Sequence, residues 1–413
     1  MTTATLATPV RPERRVSGPL AVVLSLLTVF GPISMDLYLP VLPELTSDLG
    51  AATSTAQLTV TACLFGLAAG QLVAGPLSDR FGRRRPLLIG VVAYVLTSVL
   101  CAVSPTVGVL VAARFAQGLA GGVGIVIAQA AGRDLYSGTR LLRYYGRLTV
   151  LAGLAAVLGP VIGGQLASIT DWRGIFAFLA GVGVLILAAC LLVFRETLPA
   201  QRRVSGGLAQ TGRVMRRLLA DRQFLGAVLV SGFANAALFA YLSGATFLLQ
   251  DVHGLSPQGY SYAFGLNSLG FMVFGFLAGK ATERWSEKGT LVVGLVMCAL
   301  GAAGLLVTAA LHLPLAVVVL SLLTLVSGVA VTTPPTTSLA LTGHPDVAGT
   351  ASSFLGVARF GFGGLSAPLV GLGGTSALPL GLVTLGGALL AAAAYALTLR
   401  PRVAEPAAFP TPH

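Results

Sequence analysis

The chain has 413 residues, 55% hydrophobic and only 10% charged, with 26 Lys and Arg against 14 Asp and Glu for a net charge of +12. So apolar a chain excludes a soluble globular protein and implies an integral membrane protein, whose basic balance belongs to a lipid-facing surface and not to nucleic acid. Four cysteines and four histidines are scattered without ligand spacing, and no nucleophile is paired with a base, so neither a metal or redox centre nor an enzyme is expected.

Residues 1–17 form a short polar tail, and the apolar stretch that follows is too long for the core of a cleavable signal. A span needs about 20 apolar residues. By that measure the spacing predicts twelve transmembrane helices, at 18–43, 53–77, 87–104, 107–132, 144–168, 173–194, 223–250, 258–279, 290–311, 314–338, 347–372 and 376–399. Residues 18–194 are then an N-terminal six-helix bundle, 195–222 a linker with seven arginines and two acids, 223–399 a C-terminal six-helix bundle, and 400–413 a tail. The end of the linker, from Gly212 to Arg222, has the composition of an amphipathic helix at the membrane surface. Of the 26 Lys and Arg, 23 fall in alternate connections and the tails, and Arg173 alone lies on the opposite side. The positive-inside rule therefore places both termini in the cytoplasm, for a multi-pass protein of the inner membrane.

The strongest burst of charge is Gly75-Pro76-Leu77-Ser78-Asp79-Arg80-Phe81-Gly82-Arg83-Arg84-Arg85-Pro86, between the second and third segments. Its turn residues mark a tight loop on the basic face. A shift of 204 residues superposes the two halves, with Gly66 on Gly270, Asp79 on Glu283, Arg80 on Arg284 and Phe81 on Trp285. Two six-helix halves in parallel repeat, with a site between them near the midplane, are a plan used by secondary transporters.

The loop from Gly75 to Arg85 resembles the signature between helices 2 and 3 of the major facilitator superfamily, and the resemblance covers nearly the whole chain. Arg114-Phe115-Ala116-Gln117-Gly118 is similar to the Arg-x-x-Gln-Gly motif of proton-coupled members. The run around Gly159-Pro160-Val161-Ile162-Gly163-Gly164 resembles the motif of drug:proton antiporters, and Met35 to Pro43 is like the signature of the bicyclomycin and chloramphenicol resistance group. The resemblance implies a monomeric major facilitator fold exporting drug-like amphiphiles, foremost chloramphenicol and related phenicols, in exchange for protons and without a cofactor. Symport of a sugar or other metabolite and broader multidrug export are the alternatives.

Among the fourteen acids, Asp36 alone falls inside a span far from both ends, where an unpaired carboxylate tends to take up a proton. Arg114 lies at the same depth, about 10 Å below the outer surface at 1.5 Å per residue, so direct or water-bridged contact is expected. Arg359, about 18 Å from the inner end of its helix, reads as either a substrate ligand or an interdomain ion-pair member. Gln117, Gln129, Asn235, Gln250 and Asn267 supply further polar groups, with Tyr38, Phe239, Tyr241 and Phe264 as aromatic walls of an apolar pocket. Gly159, Pro160, Gly163 and Gly164 allow close helix approach and a kink. By resemblance they also seal the carrier against proton leak. Gly75, Asp79, Arg80, Gly82, Arg83 and Arg84 form the candidate conformational latch, in which Asp79 and Arg80 are the pair repeated in the second half. Asp79 can meet arginines or a helix N-terminus of the other half, while Arg83, Arg84 and Arg85 read mainly as topology anchors.

Overall fold

Each of the twelve expected segments is helical in the computed structural model, which describes residues 18–136, 138–203, 216–343, 348–372 and 377–399. Helices satisfy their own backbone groups, which is what an apolar chain in lipid requires. The first span is broken. Helix α1 (Gly18–Asp36) ends at the candidate proton carrier, a 3-10 turn covers Leu39–Val41, and α2 (Leu42–Asp48) completes the crossing. Pro40 and Pro43 lack the N–H groups that would continue the ladder, and the axis bends by 41° between Gly18–Gly31 and Ile33–Asp48.

The first half continues with α3 (Thr53–Phe81), α4 (Arg84–Ala102), α5 (Val107–Leu135), α6 (Gly138–Leu166) and α7 (Trp172–Val193). The second half comprises α8 (Arg222–Phe247), which runs on into a π-turn at Leu248–Val252, then α9 (Pro257–Arg284), α10 (Glu287–Leu311), α11 (Leu315–Leu341), α12 (Ala348–Gly371) and α13 (Ala377–Ala394). Helix starts are capped where the sequence turns polar. Asp171 accepts from Gly174 N at 2.9 Å, Asp221 from Gln223 N at 2.7 Å, and Ser286 from Gly289 N at 2.9 Å.

The repeat seen by the 204-residue shift is a repeat of packing. Helix α5 packs on α1, α3 and α4 as α11 packs on α8, α9 and α10, and α1 meets α6 and α7 as α8 meets α12 and α13. The halves join through two equivalent crossings, α3 on α12 and α9 on α6. Among the described residues, every hydrogen bond between the halves lies at the end remote from the arginine-rich loops. Gln57 Nε2 donates to Ser243 O at 3.2 Å, Thr246 Oγ1 to Leu39 O at 2.9 Å, Gln250 Nε2 to Pro40 O at 2.9 Å, and Gln165 Nε2 to Tyr262 Oη at 3.2 Å. The far end is thus closed, and two of these bonds land on carbonyls within the break in the first span.

The two tails and the first four residues of the expected amphipathic helix, 212–215, lie outside the described residues, and 216–220 are helical. Arg173, the exception to the one-sided arginines, is matched on the far side by Asp48 at 2.6 Å.

Candidate functional site

Asp36 is 7% exposed, and among the described residues it has no ion pair or hydrogen bond. Helix α6 packs against it through the glycines of its motif. A Cβ on Gly159 would lie 3.1 Å from Asp36 Cβ, and one on Gly163 would lie 2.0 Å from Leu37 O. Only glycine at 163 lets α6 come this close to the broken end of α1. Pro160 sits between them inside a continuous helix.

Arg114 is fully buried, and of the expected direct or water-bridged contact with Asp36 no direct ion pair is present among the described residues. Its Nη1 donates to Gln117 Oε1 at 2.5 Å and to Ser34 O at 3.3 Å, and its guanidinium lies 4.3 Å from the Tyr38 ring centroid and 5.4 Å from that of Phe176. The geometry explains the difference. Residues 34 and 36 point about 200° apart around α1, and an arginine drawn to Ser34 is directed away from Asp36. The α1 ladder ends with Leu37 N on Ile33 O, next to the Ser34 carbonyl that Arg114 uses. Stacking on aromatic faces offsets part of the cost of burying the cation, yet Nε and Nη2 remain unpartnered.

Tyr38 and Gln117, expected with Arg114 at the substrate site, share this burial. Tyr38 bonds Thr59 Oγ1 at 3.0 Å and packs on Phe176, while Gln117 donates to Ser98 Oγ at 2.7 Å. They form a polar core of the first half behind Asp36.

The second half brings its candidates together on two helices. Tyr241 of α8 stacks on Phe264 of α9 with centroids 5.5 Å apart, and Asn267 Nδ2 donates to Tyr241 Oη at 3.1 Å. Phe239 meets Phe360 of α12 at 5.8 Å, and Asn235 is turned back onto Ser231 O at 2.8 Å. Gln129 is exposed near the basic end of α5, outside this cluster. Among the described residues, Arg359 forms no interdomain ion pair. It donates to Ser231 Oγ and Thr337 Oγ1, both at 3.2 Å and both in its own half.

At the basic end Arg83, not Arg80, is the centre of the loop. It is 5% exposed and binds Asp79 at 2.5 Å, Ser78 Oγ at 2.7 Å and Asp134 at 3.0 Å. Arg83 follows the left-handed turn at Gly82 that ends α3 and comes back over Asp79, whereas Arg80, still on α3, is turned about 100° from Asp79 and lies over the Phe81 ring in the open. Asp79 therefore pairs within its own half. Gly82 has φ +87°, and a Cβ there would sit 2.4 Å from Glu196 Oε2. That carboxylate accepts from Arg83 N at 2.8 Å, Arg84 N at 3.2 Å and Leu198 N at 3.0 Å, with Arg203 at 3.9 Å. Burial pushes the Glu196 carboxyl up, but the backbone donors and Arg203 outweigh it and hold it below the ordinary carboxylate range. A Cβ on Gly75 would meet nothing within 4 Å.

Sequence reasoning missed Asp134 and Glu196. A lone acid at the head of an arginine-rich linker was a signal for Glu196. Applied to the loop, the 204-residue shift sets Arg83 on Glu287 and Asp134 on Ser338, and Ser338 Oγ donates to Glu287 Oε1. The ion pair of one half is thus a hydroxyl–carboxylate bond in the other. The side chain of Glu283 lies outside the described ones.

A repeat of six helices, a broken first span and a buried acid at the interface of the halves define a secondary membrane transporter, not an enzyme. Residues 24–368 match the Major Facilitator Superfamily, and the chain belongs to that family. It is 36% identical over 388 residues to an uncharacterised MFS-type transporter, YdgK, of Bacillus subtilis (strain 168), covering 94% of this chain and 96% of that protein. It is 29% identical over 347 residues to a bicyclomycin resistance protein homolog of Haemophilus influenzae, covering 84% and 87% of the two chains. Its fold is that of a bacterial homolog of the human lysosomal transporter Spinster in an inward-facing, unoccupied conformation, with a TM-score of 0.73, 17% identity, and coverage of 92% and 96%.

Proposed function

We propose that this protein exports drug-like amphiphiles in exchange for protons, with Asp36 as the proton carrier and phenicols of the chloramphenicol type as the foremost cargo. The observation that carries the reading is the environment of Asp36. It is a buried carboxylate without an ionic partner, at a helix break between the two halves. A carboxylate there is neutral when protonated and costly when charged, so its proton and a cargo molecule compete for one conformational cycle. The resistance names of relatives and the resemblance of Met35 to Pro43 support a drug cargo.

With the termini and basic loops in the cytoplasm, closure of the far end makes this the inward-facing state of a monomer in the inner membrane. In the cycle, Asp36 takes a proton from outside, cargo leaves, and the carrier returns to exchange the proton for drug. The two arginines inside spans against one aspartate favour neutral or electronegative cargo over strong cations. Arg359 offers donors from the second half, and Asn235, Phe239, Tyr241, Phe264 and Asn267 line its approach.

Asp36→Asn is expected to abolish pH-driven export while folded protein persists in the membrane. Drug added to the purified wild-type carrier should expel protons, whereas a symporter would take them up or leave the pH unchanged. Normal resistance and proton release by the Asn variant would refute the assignment.

A further inference from the structure

Several polar atoms around Asp36 have no partner, and one belongs to a residue outside the site argued above. Tyr260 of α9 is fully buried and its hydroxyl makes no hydrogen bond. Asn267 Oδ1, on the same helix and equally buried, is also unpartnered. Tyr260, Phe264 and Asn267 are spaced i, i+4 and i+7, so they share one face of α9. That face packs on Tyr241, and Tyr260 stands 5.8 Å from Phe264. Both Tyr260 and Tyr241 lie within electrostatic reach of Asp36.

Helix α6 sets this arrangement. One turn of it faces both halves. A Cβ on Gly163 would collide with Leu37 O, next to Asp36, and a Cβ on Gly164 would lie 2.1 Å from Ser261 Oγ, next to Tyr260. Two adjacent glycines thus allow α1 and α9 to approach the same helix from two sides. The other titratable or charged groups around Asp36 are Cys63 of α3, Tyr38 on its own segment, Arg114 of α5, whose Nη1 is committed to Ser34 and Gln117, and Tyr241, whose hydroxyl oxygen already accepts from Asn267. Helix α6 presents glycine there. Of the two second-half tyrosines, Tyr260 is the one whose hydroxyl makes no hydrogen bond among the described residues.

The geometry points to Tyr260 as the positioning residue that the second half supplies to Asp36. Its hydroxyl donates through one trapped water to the ionised carboxylate and holds that charge while the far end is closed. Buried polar groups without a protein partner are normally satisfied by an ordered water. Tyr260 is three residues from the far-end start of α9, so it withdraws with the second half when that end opens. Asp36 then loses a donor to its charged form and takes up a proton from outside. On closure the hydroxyl returns, and the proton leaves Asp36 for water on the cytoplasmic side. The inference rests on Asp36 being the proton carrier.

The test is an infrared titration of the protonated carboxyl band in the purified full-length protein in lipid, with Asp36→Asn subtracted to isolate Asp36. No cargo is needed. Tyr260→Phe removes only the hydroxyl, and the Asp36 midpoint should rise by about one pH unit, the tenfold or so carried by a hydrogen bond to a charged group. Tyr395→Phe, in the turn Tyr395–Leu399 at the basic end of the second half, should leave the midpoint unmoved. Fluorotyrosine at position 260 is a stronger donor of unchanged shape. It should lower the midpoint, and it keeps the test decisive if Tyr260→Phe does not fold. An unmoved midpoint in both Tyr260 variants, with an Asp36 band present in wild type, overturns the role of Tyr260 alone. Absence of any band sensitive to Asp36→Asn overturns the carrier assignment with it.

Discussion

Gly163→Ala tests the positioning of Asp36 without touching a polar group. The added methyl carbon would stand 2.0 Å from Leu37 O and 2.9 Å from Leu37 C, both backbone atoms that no rotamer change can move aside. An ordinary carbon–oxygen contact is about 3.3 Å. Helix α6 and the end of α1 must therefore separate by roughly 1.3 Å, which carries Asp36 with them. Overpacking of this kind costs about 1–3 kcal/mol. Gly181→Ala on α7 is the matched control, because a Cβ there meets nothing within 4 Å. Reversible unfolding of the two purified variants in detergent, read beside drug-induced proton release, should show Gly163→Ala destabilised by that amount and its proton release impaired. If the two variants matched each other in stability and transport, the close approach at Leu37 would not be what positions Asp36.

Two further expectations concern the two ends of the molecule. Glu196 has a depressed native proton affinity, so its contribution to the basic loop is complete above its ordinary range, about pH 4.3, and is lost as pH falls through the lower native value. Hydrogen exchange at the Arg83 and Arg84 amides should be protected at neutral pH and deprotected only below about pH 4. Glu196→Gln should weaken that protection at neutral pH and remove the acid transition, and wild-type exchange in this variant would contradict the capping role. At the far end, Thr246→Val with Gln250→Leu deletes the donors to Leu39 O and Pro40 O, each worth about 0.5–1.5 kcal/mol. Spin-label distances across that end should shift toward the open population, and an unchanged distribution would show that packing alone holds it shut.

The fold was legible because its signals are one-dimensional. Apolar run length fixed the twelve spans, and the arginines and caps fixed their ends. The 204-residue shift exposed the repeat before any contact was known. Asp36 was legible for the same reason, since an acid deep in an apolar run is conspicuous in a string. Partners were harder. Depth along a helix placed Arg114 level with Asp36, but depth carries no azimuth, and the 200° between Ser34 and Asp36 decided which of them the guanidinium meets. Which arginine of the candidate latch pairs with Asp79 was illegible for a related reason. Arg80, Arg83 and Arg84 are equivalent as charges, and only the turn at Gly82 and the position of Asp134 on α5 select Arg83.

What the sequence determined by itself is the class of structure, the location of the charged loops and the identity of the lone intramembrane acid, because these depend on composition and spacing along the chain. The tertiary structure alone decided that Asp36 has no ion pair among the described residues, that Arg114, Gln117 and Tyr38 form a buried core in the first half, and that the Tyr260 hydroxyl is buried without a partner. Each of those depends on how two helices from distant parts of the chain rotate against α6, and a rotation of that kind is set by packing between surfaces, which no single segment contains.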